Sequence, residues 1–304
     1  LEGLEEDIED ETGVKVRLPL DVKGADILLV TPSADFFAEP HVDGLMGYAK
    51  VFHEAGVSWT ISSYASEAAN FGMFIGSYEN MRKLALRIRE AAIELGVKRI
   101  VFGECGHAWR VAYSFLNTLA GPFDFLDQNY PIPQHICEFT HNLIQENKLR
   151  FNKEENDHMR LTFHDSCNVA RGAGMGQMEN GQFIIPRAVI KAVCNHYYDM
   201  DQDTIHDATF CCGGGGGLLT DDLMELRVKG AQPRMEALRN LTEQHGITNL
   251  AAICAICKSQ FAKVLPYYGF TMDQIVSVHQ LVSNAIVLKG SEQEAELAGE
   301  TGSE

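Results

Sequence analysis

Apolar residues along the chain fall into two alternating patterns. Short unbroken runs at residues 25–31 (ADILLVT), 58–62 and 99–103 (RIVFG) have the length and β-branched character of buried strands. Between them, residues 42–55 and 79–95 carry apolar side chains at helical spacing. Each of these closes on a glycine, Gly56 and Gly96, where a helix C-terminus is expected. Strands alternating with helices predict parallel sheets assembled from βαβ units.

The same order returns in the second half. A strand over 160–164 leads to Cys167, a helix covers 184–196, and a strand over 207–210 ends at Cys211-Cys212. A helical stretch over 218–245 is interrupted by Gly230 and Pro233, and a strand over 249–253 ends at Cys254. Two short segments match outright. Lys50-Val51-Phe52-His53 stands opposite Lys191-Ala192-Val193-Cys194, and Glu138-Phe139-Thr140-His141-Asn142-Leu143-Ile144 opposite Gln280-Leu281-Val282-Ser283-Asn284-Ala285-Ile286. The expectation is an α/β fold made by internal duplication of two Rossmann-like repeats with small parallel sheets. It divides into an acidic leader (1–23), a first repeat (24–155), a second repeat (156–290) and a flexible acidic tail (291–304). Because ligands of open α/β sheets gather at the carboxyl ends of the strands, the scattered cysteines of the second repeat are expected to converge.

Composition narrows the function. The 304 residues carry a formal charge of -17, with acidic runs at residues 5–11 and 292–304. Binding nucleic acid needs clustered Lys and Arg, so it is excluded. The acidic runs read as solubility, with docking to a basic protein as the alternative. No apolar run approaches the ~18 residues of a membrane span. No secretory signal is visible, and the opening Leu1 suggests a piece of a longer protein. Eight cysteines in such a chain read as reduced thiols kept for a metal or for catalysis, in the cytoplasm, rather than as disulfides.

Five of them form a pattern: Cys167, then Cys211-Cys212, then Cys254-Ala255-Ile256-Cys257. The C-x-x-C pair alone serves zinc, iron–sulfur and thiol redox sites alike. Adjacent cysteines are awkward for one tetrahedral zinc, whereas a multi-iron cluster offers separate irons, and five thiolates exceed the four that zinc or a cubane needs. After the pair come Gly213 to Gly217. Residues without Cβ let the backbone wrap an anionic object and aim N–H groups at it. A phosphate cradle is the competing reading, but the Lys-Ser/Thr of a P-loop is missing.

At this point the chain resembles a known family. Phe163-His164-Asp165-Ser166-Cys167-Asn168-Val169-Ala170-Arg171, Cys211-Cys212-Gly213-Gly214-Gly215 and Cys254-x-x-Cys257 are similar to the cysteine-rich CCG domain of the heterodisulfide reductase catalytic-subunit family. That family includes iron–sulfur subunits of glycolate, lactate and anaerobic glycerol 3-phosphate oxidation systems. The resemblance spans residues 24–289, since members carry two such repeats, but here only the second is complete. The first has Pro32-Ser33-Ala34, Asn70-Phe71-Gly72 and Cys105-Gly106-His107-Ala108 at the corresponding places. An intact motif beside a degenerate one that keeps Glu104-Cys105-Gly106-His107 most resembles the DsrK group, from the membrane complex associated with dissimilatory sulfite reductase.

This resemblance implies a noncubane [4Fe-4S] cluster held by Cys167, Cys211, Cys212, Cys254 and Cys257. Gly213, Gly214, Gly215, His164 and Arg171 are expected around it. It further implies action on a disulfide or trisulfide of a DsrC-like sulfur-carrier protein and membrane partner subunits handling quinone or haem. An upstream ferredoxin-like domain absent from this chain and peripheral attachment to the inner face of the membrane complete the expectation. Cys105 and His107 are expected to line a substrate pocket between the halves, with His107 as proton donor and Glu104 orienting it. Arg171 either neutralises cluster charge or pairs with a surface acid. Cys137 and Cys194 read as small core residues, His53, His135, His141 and His279 as structural, and Trp109 as core or pocket wall. The alternatives are an electron-transferring subunit of a glycolate- or lactate-type oxidase, and a zinc-stabilised docking module.

Overall fold

The computed structural model describes residues 1–36, 39–66, 69–129, 132–217, 219–291 and 293–294, and the structural statements below concern these. Most of the expected tail, 291–304, lies outside them. The leader is folded rather than loose. Helix α1 (Glu2–Thr12) buries Ile8, while Glu5 accepts from the Leu18 backbone N–H at 2.7 Å and from Arg17 at 2.6 Å.

The first sheet contains β1 (Ile27–Val30), β2 (Trp59–Thr60), β3 (Arg99–Phe102) and β4 (Gln134–His135) in the order β2-β1-β3-β4, all parallel. Its connections are α2 (His41–Ala55), α3 (Ala69–Phe74) with α4 (Tyr78–Leu95), and α5 (Gly106–Ala120), followed by α6 (Ile136–Gln145). All four residues of β1 are buried, which is why this strand reads as an uninterrupted apolar run: helices cover both faces of a parallel sheet. Gly56 and Gly96 close α2 and α4 in the left-handed conformation, φ 65° and 68°.

The second sheet repeats the scheme with β5 (Leu161–His164), β6 (Asn249–Ala252) and β7 (Ile275–Ser277), again all parallel. Its helices are α7 (Cys167–Ala170), α8 (Gly181–Val193), α9 (Met224–His245), α10 (Ala255–Val264) and α11 (Val278–Ala285). The strand expected over 207–210 does not form. A 3-10 turn at His206–Ala208 stands there, and the partner of β5 on that side is a single bridge from Leu161 to Tyr197. The helix expected from residue 218 begins at Met224 and passes through Pro233 unbroken.

The matching sequence segments occupy equivalent places: the ends of α2 and α8, and the helices α6 and α11 that follow the last strand of each sheet. The halves join through pseudo-symmetric pairs, α2 against α11 and α8 against α6, with α5 touching α10 near the same axis. Fully buried side chains such as Phe52, Leu45, Val282 and Leu281 belong to one core cluster that runs through both halves, and each contributes about 1.5–3 kcal/mol by leaving water.

Candidate metal centre

Each cysteine reaches the site from a different local device. Cys167 opens α7 directly after β5, and Cys254 is the N-cap of α10 directly after β6, so both lie at strand carboxyl ends as expected. Cys257 follows one turn into α10. Cys211 and Cys212 arrive on a loop that side chains hold in the place of a strand. Asp165 pairs in a fork with Arg187 at 2.7 Å on both oxygens and accepts from the His206 N–H at 2.9 Å, while Thr209 donates to the Asp165 carbonyl at 2.8 Å. Arg171 donates to the carbonyls of Asp207 and Thr209 at 2.9 and 2.8 Å. It therefore braces the loop.

The thiols form one continuous chain. Each thiol stands near enough to the next to shift its titration, in the order Cys167, Cys211, Cys212, Cys257, Cys254 and Cys105, and the sulfurs of Cys212 and Cys257 lie within 4.8 Å of each other. Cys212, Cys254 and Cys257 are buried, whereas Cys167 and Cys211 are partly exposed. The amides of Gly213 and Gly215 point at the Cys211 sulfur, the first at 3.3 Å; with the hydrogen bonds from Cys167 and Cys212, they pull its pKa down. A Cβ on Gly214 would sit 3.3 Å from the Cys212 sulfur. Gly213 has φ 89°, and a Cβ there would lie 2.3 Å from the Arg227 carbonyl oxygen, so only glycine makes this turn.

Around the thiols stand an imidazole without hydrogen bonds and, among the described residues, a buried cation without a carboxylate. His164 is wholly buried with both ring nitrogens unbonded, and its ligating atom lies within 4.8 Å of the sulfurs of Cys212 and Cys257. Burial, with Arg234 nearby, lowers its pKa to about 3, so the ring is neutral. Arg234, which its sequence context does not single out, is also wholly buried and faces Met200, Thr204 and Thr209 rather than a carboxylate.

These observations fit an iron–sulfur cluster. So many thiols at contact distance cannot all ionise unless a cationic centre takes them as ligands, and an orphaned imidazole and an unpaired cation beside them suit an anionic assembly carrying sulfide acceptors.

Cys105 and His107 meet the end of the thiol chain. His107 Nδ1 lies 3.4 Å from the Cys254 sulfur, and its Nε2 has no hydrogen-bond partner among the described residues. Both residues are buried, and the Phe74 ring stands edge-on to His107 at 4.9 Å. Among the described residues Cys105 and His107 are thus enclosed by their neighbours. A hollow of about 190 Å³ reaches one site cysteine, Cys211, between Leu223, Leu226 and Arg227. A larger cavity of 760 Å³ beside Phe183 and Lys191 contains none of the thiols, so its size says nothing about this chemistry.

Glu104 does not orient His107. Its carboxylate is buried against Lys258 Nζ (3.2 Å) and against the backbone N–H and Nδ1 of His279 (2.8 and 2.7 Å), and His279 Nε2 meets the Thr140 hydroxyl at 2.8 Å. Burial alone would raise the Glu104 pKa, but Lys258 and His279 outweigh it and hold it at about 2. Glu104, Cys137 and His279 would otherwise make a second metal-binding group, but the ammonium of Lys258 already supplies the cation there. Trp109 is core, its Nε1 donating to the Gly174 carbonyl at 2.8 Å, and Cys137 and Cys194 are buried away from the thiol chain.

Among the described residues no helix is long and apolar enough to cross a membrane. No family model matches the chain. It is 39% identical to the "Hdr-like menaquinol oxidoreductase iron-sulfur subunit 2" of Archaeoglobus fulgidus, over 98% of this chain and 58% of the relative. It is 28% identical to one component of the dihydromethanophenazine:CoB--CoM heterodisulfide reductase of Methanosarcina barkeri, over 58% of this chain and 38% of that one. The chain thus spans little more than half the length of the first of these. In fold it is similar to a hypothetical protein from Helicobacter pylori, with a TM-score of 0.51 at 13% identity, covering 98% of this chain and 56% of the other. Over 98% of its length the chain is thus similar to an Hdr-like iron–sulfur subunit.

Proposed function

We propose that this chain is the disulfide-handling part of an Hdr-like oxidoreductase, holding a noncubane [4Fe-4S] cluster on Cys167, Cys211, Cys212, Cys254 and Cys257. In this reading residues 24–155 form the substrate side and 156–290 the cluster side. The observation that carries it is the unbroken thiol chain from Cys167 to Cys254, continued by Cys105 from the other half. Such a cluster supplies single electrons in a dry site and an iron with affinity for sulfur.

The overall change is R–S–S–R′ + 2 e⁻ + 2 H⁺ → RSH + R′SH, or its reverse, with a disulfide or trisulfide of a DsrC-like sulfur carrier as substrate. His107 is bound through Nδ1 to Cys254, which leaves Nε2 to hold or give the proton at the departing sulfur. Cys105 presents a thiol at the same point, and Phe74 keeps water out. The electrons belong to partner subunits that handle menaquinol, the quinol in the relative's name, so the chain would sit peripherally on the membrane through those subunits.

The first repeat has lost its cysteine pair, so the glycolate- or lactate-type oxidase reading, which expects two complete motifs, gains no support. Chemical analysis of anaerobically purified protein tests the proposal. Iron and acid-labile sulfide in equal amounts, with an EPR signal on partial reduction, is expected; a colourless, zinc-loaded protein would sink it.

A further inference from the structure

Among the described residues five lysine or arginine side chains are buried: Lys50, Arg187, Arg227, Arg234 and Lys258. Four have a carboxylate partner. Lys50 meets Glu11 at 2.9 Å, Arg187 meets Asp165 and Asp199 at 2.7 Å, Arg227 meets Asp221 at 3.9 Å, and Lys258 meets Glu104 at 3.2 Å. Arg234, with no exposed surface at all, makes no such pair. Its guanidinium donates to the Met200 thioether at 2.7 Å, the Thr204 carbonyl and the Thr209 hydroxyl at 2.9 Å, lies over the Phe210 ring at 5.8 Å, and leaves Nε unbonded. Isolating a cation in this way is among the more costly arrangements a protein interior can contain. The neighbouring groups able to carry negative charge are first Asp165, whose carboxylate is already forked on Arg187, and then the thiols of Cys257 and Cys212.

We infer that Arg234 is the built-in counter-cation of the bound cluster: it balances the negative charge of the thiolates and sulfides and sets the cluster's reduction potential. The inference rests on the iron–sulfur reading above and adds to it a residue outside the ligand motifs. The geometry suits the role. Arg234 lies on α9, and its guanidinium holds Thr209 two residues before Cys211. A fixed positive charge in a low-dielectric surrounding favours the reduced, more negative state of the cluster and raises its potential. Arginine suits this position because it stays charged when buried.

The competing account is that Arg234 merely braces the Thr204–Thr209 loop. Two variants of the full chain separate the accounts. Arg234→Lys keeps the charge and loses the fork; Arg234→Gln keeps a donor for Thr209 and loses the charge. Each would be purified anaerobically, assayed for iron and sulfide, and titrated with mediators while the EPR signal is followed. The expected result is a clear negative shift of midpoint potential in Arg234→Gln and a value close to the parent in Arg234→Lys. If the neutral variant folds by circular dichroism yet takes up no cluster while the lysine variant does, the charge is again what matters. Equal potentials in Arg234→Gln and the parent, or equal cluster loss in both variants, overturn the inference. A parent protein without iron and sulfide would instead overturn the iron–sulfur reading itself.

Discussion

Cys105 and Cys254 hold the same position in the two halves, the N-cap of the helix that follows β3 and β6 respectively, and the Cys105 thiol is near enough to lower the pKa of Cys254. The pseudo-two-fold arrangement of α2 with α11 and α8 with α6 brings these equivalent caps face to face. The degenerate repeat thus contributes a thiol and an imidazole to the site of the intact one.

Replacing His107 by Ala is expected to lower turnover of a disulfide or trisulfide substrate by roughly 10²–10⁴-fold, the usual range for a lost proton donor. Cys105→Ala is expected to impair turnover as well, with iron and sulfide retained in both. Unchanged turnover in both variants, measured with reduced mediator as electron donor, would remove Cys105 and His107 from the chemistry.

Substituting any one of Cys167, Cys211, Cys212, Cys254 or Cys257 by Ala should cause loss of iron or a changed EPR spectrum. Cys137→Ala should do neither and should cost about 1 kcal/mol as a small core cavity. Metal analysis and thermal unfolding on the same samples distinguish the two classes.

Gly213→Ala should be far more harmful than Gly216→Ala. At Gly213 the added carbon meets a carbonyl oxygen at 2.3 Å, whereas at Gly216 its nearest neighbour is the Phe74 ring at 3.8 Å, with positive φ at both. The strain at Gly213 is of order 1–3 kcal/mol before any clash, and it falls on the turn that aims an amide at Cys211. Reduced cluster content in the first variant alone is the expected result.

Glu104→Gln should destabilise the protein by roughly 3–5 kcal/mol by stranding Lys258, and adding Lys258→Met should recover most of the loss. The pH dependence follows from the depressed pKa of Glu104, about 2 against an ordinary 4.5. The folded state binds this proton less readily than the unfolded chain. Its stabilising contribution is therefore complete above pH 4.5 and is lost as pH falls through about 2. Acid unfolding of Glu104→Gln/Lys258→Met, followed by circular dichroism, should show a shallower dependence across that window.

Much of this was legible in the chain. Parallel strands covered on both faces are apolar, so β1 and most of β3 announce themselves, and helix-ending glycines mark α2 and α4. The cysteine pattern gave the thiol set because its members sit at strand ends or in a tight loop. Less legible was the path of residues 207–210. Its backbone is held by Asp165, Arg171 and Arg234, which are remote in sequence, and no local pattern separates such a strap from a short strand.

Local periodicity and spacing determined by themselves that the chain is a duplicated α/β protein with five thiols converging in its second half. The first depends on near neighbours, which a sequence records directly, and the second follows because the carboxyl ends of parallel strands share one edge. Only the tertiary structure decided that Glu104 belongs to Lys258 and His279, that Cys105 closes on Cys254, and that Arg234 stands buried without a carboxylate. Those pairings join residues up to 175 positions apart. Whether a charge is buried, and what faces it, depends on how the two halves and their helices pack.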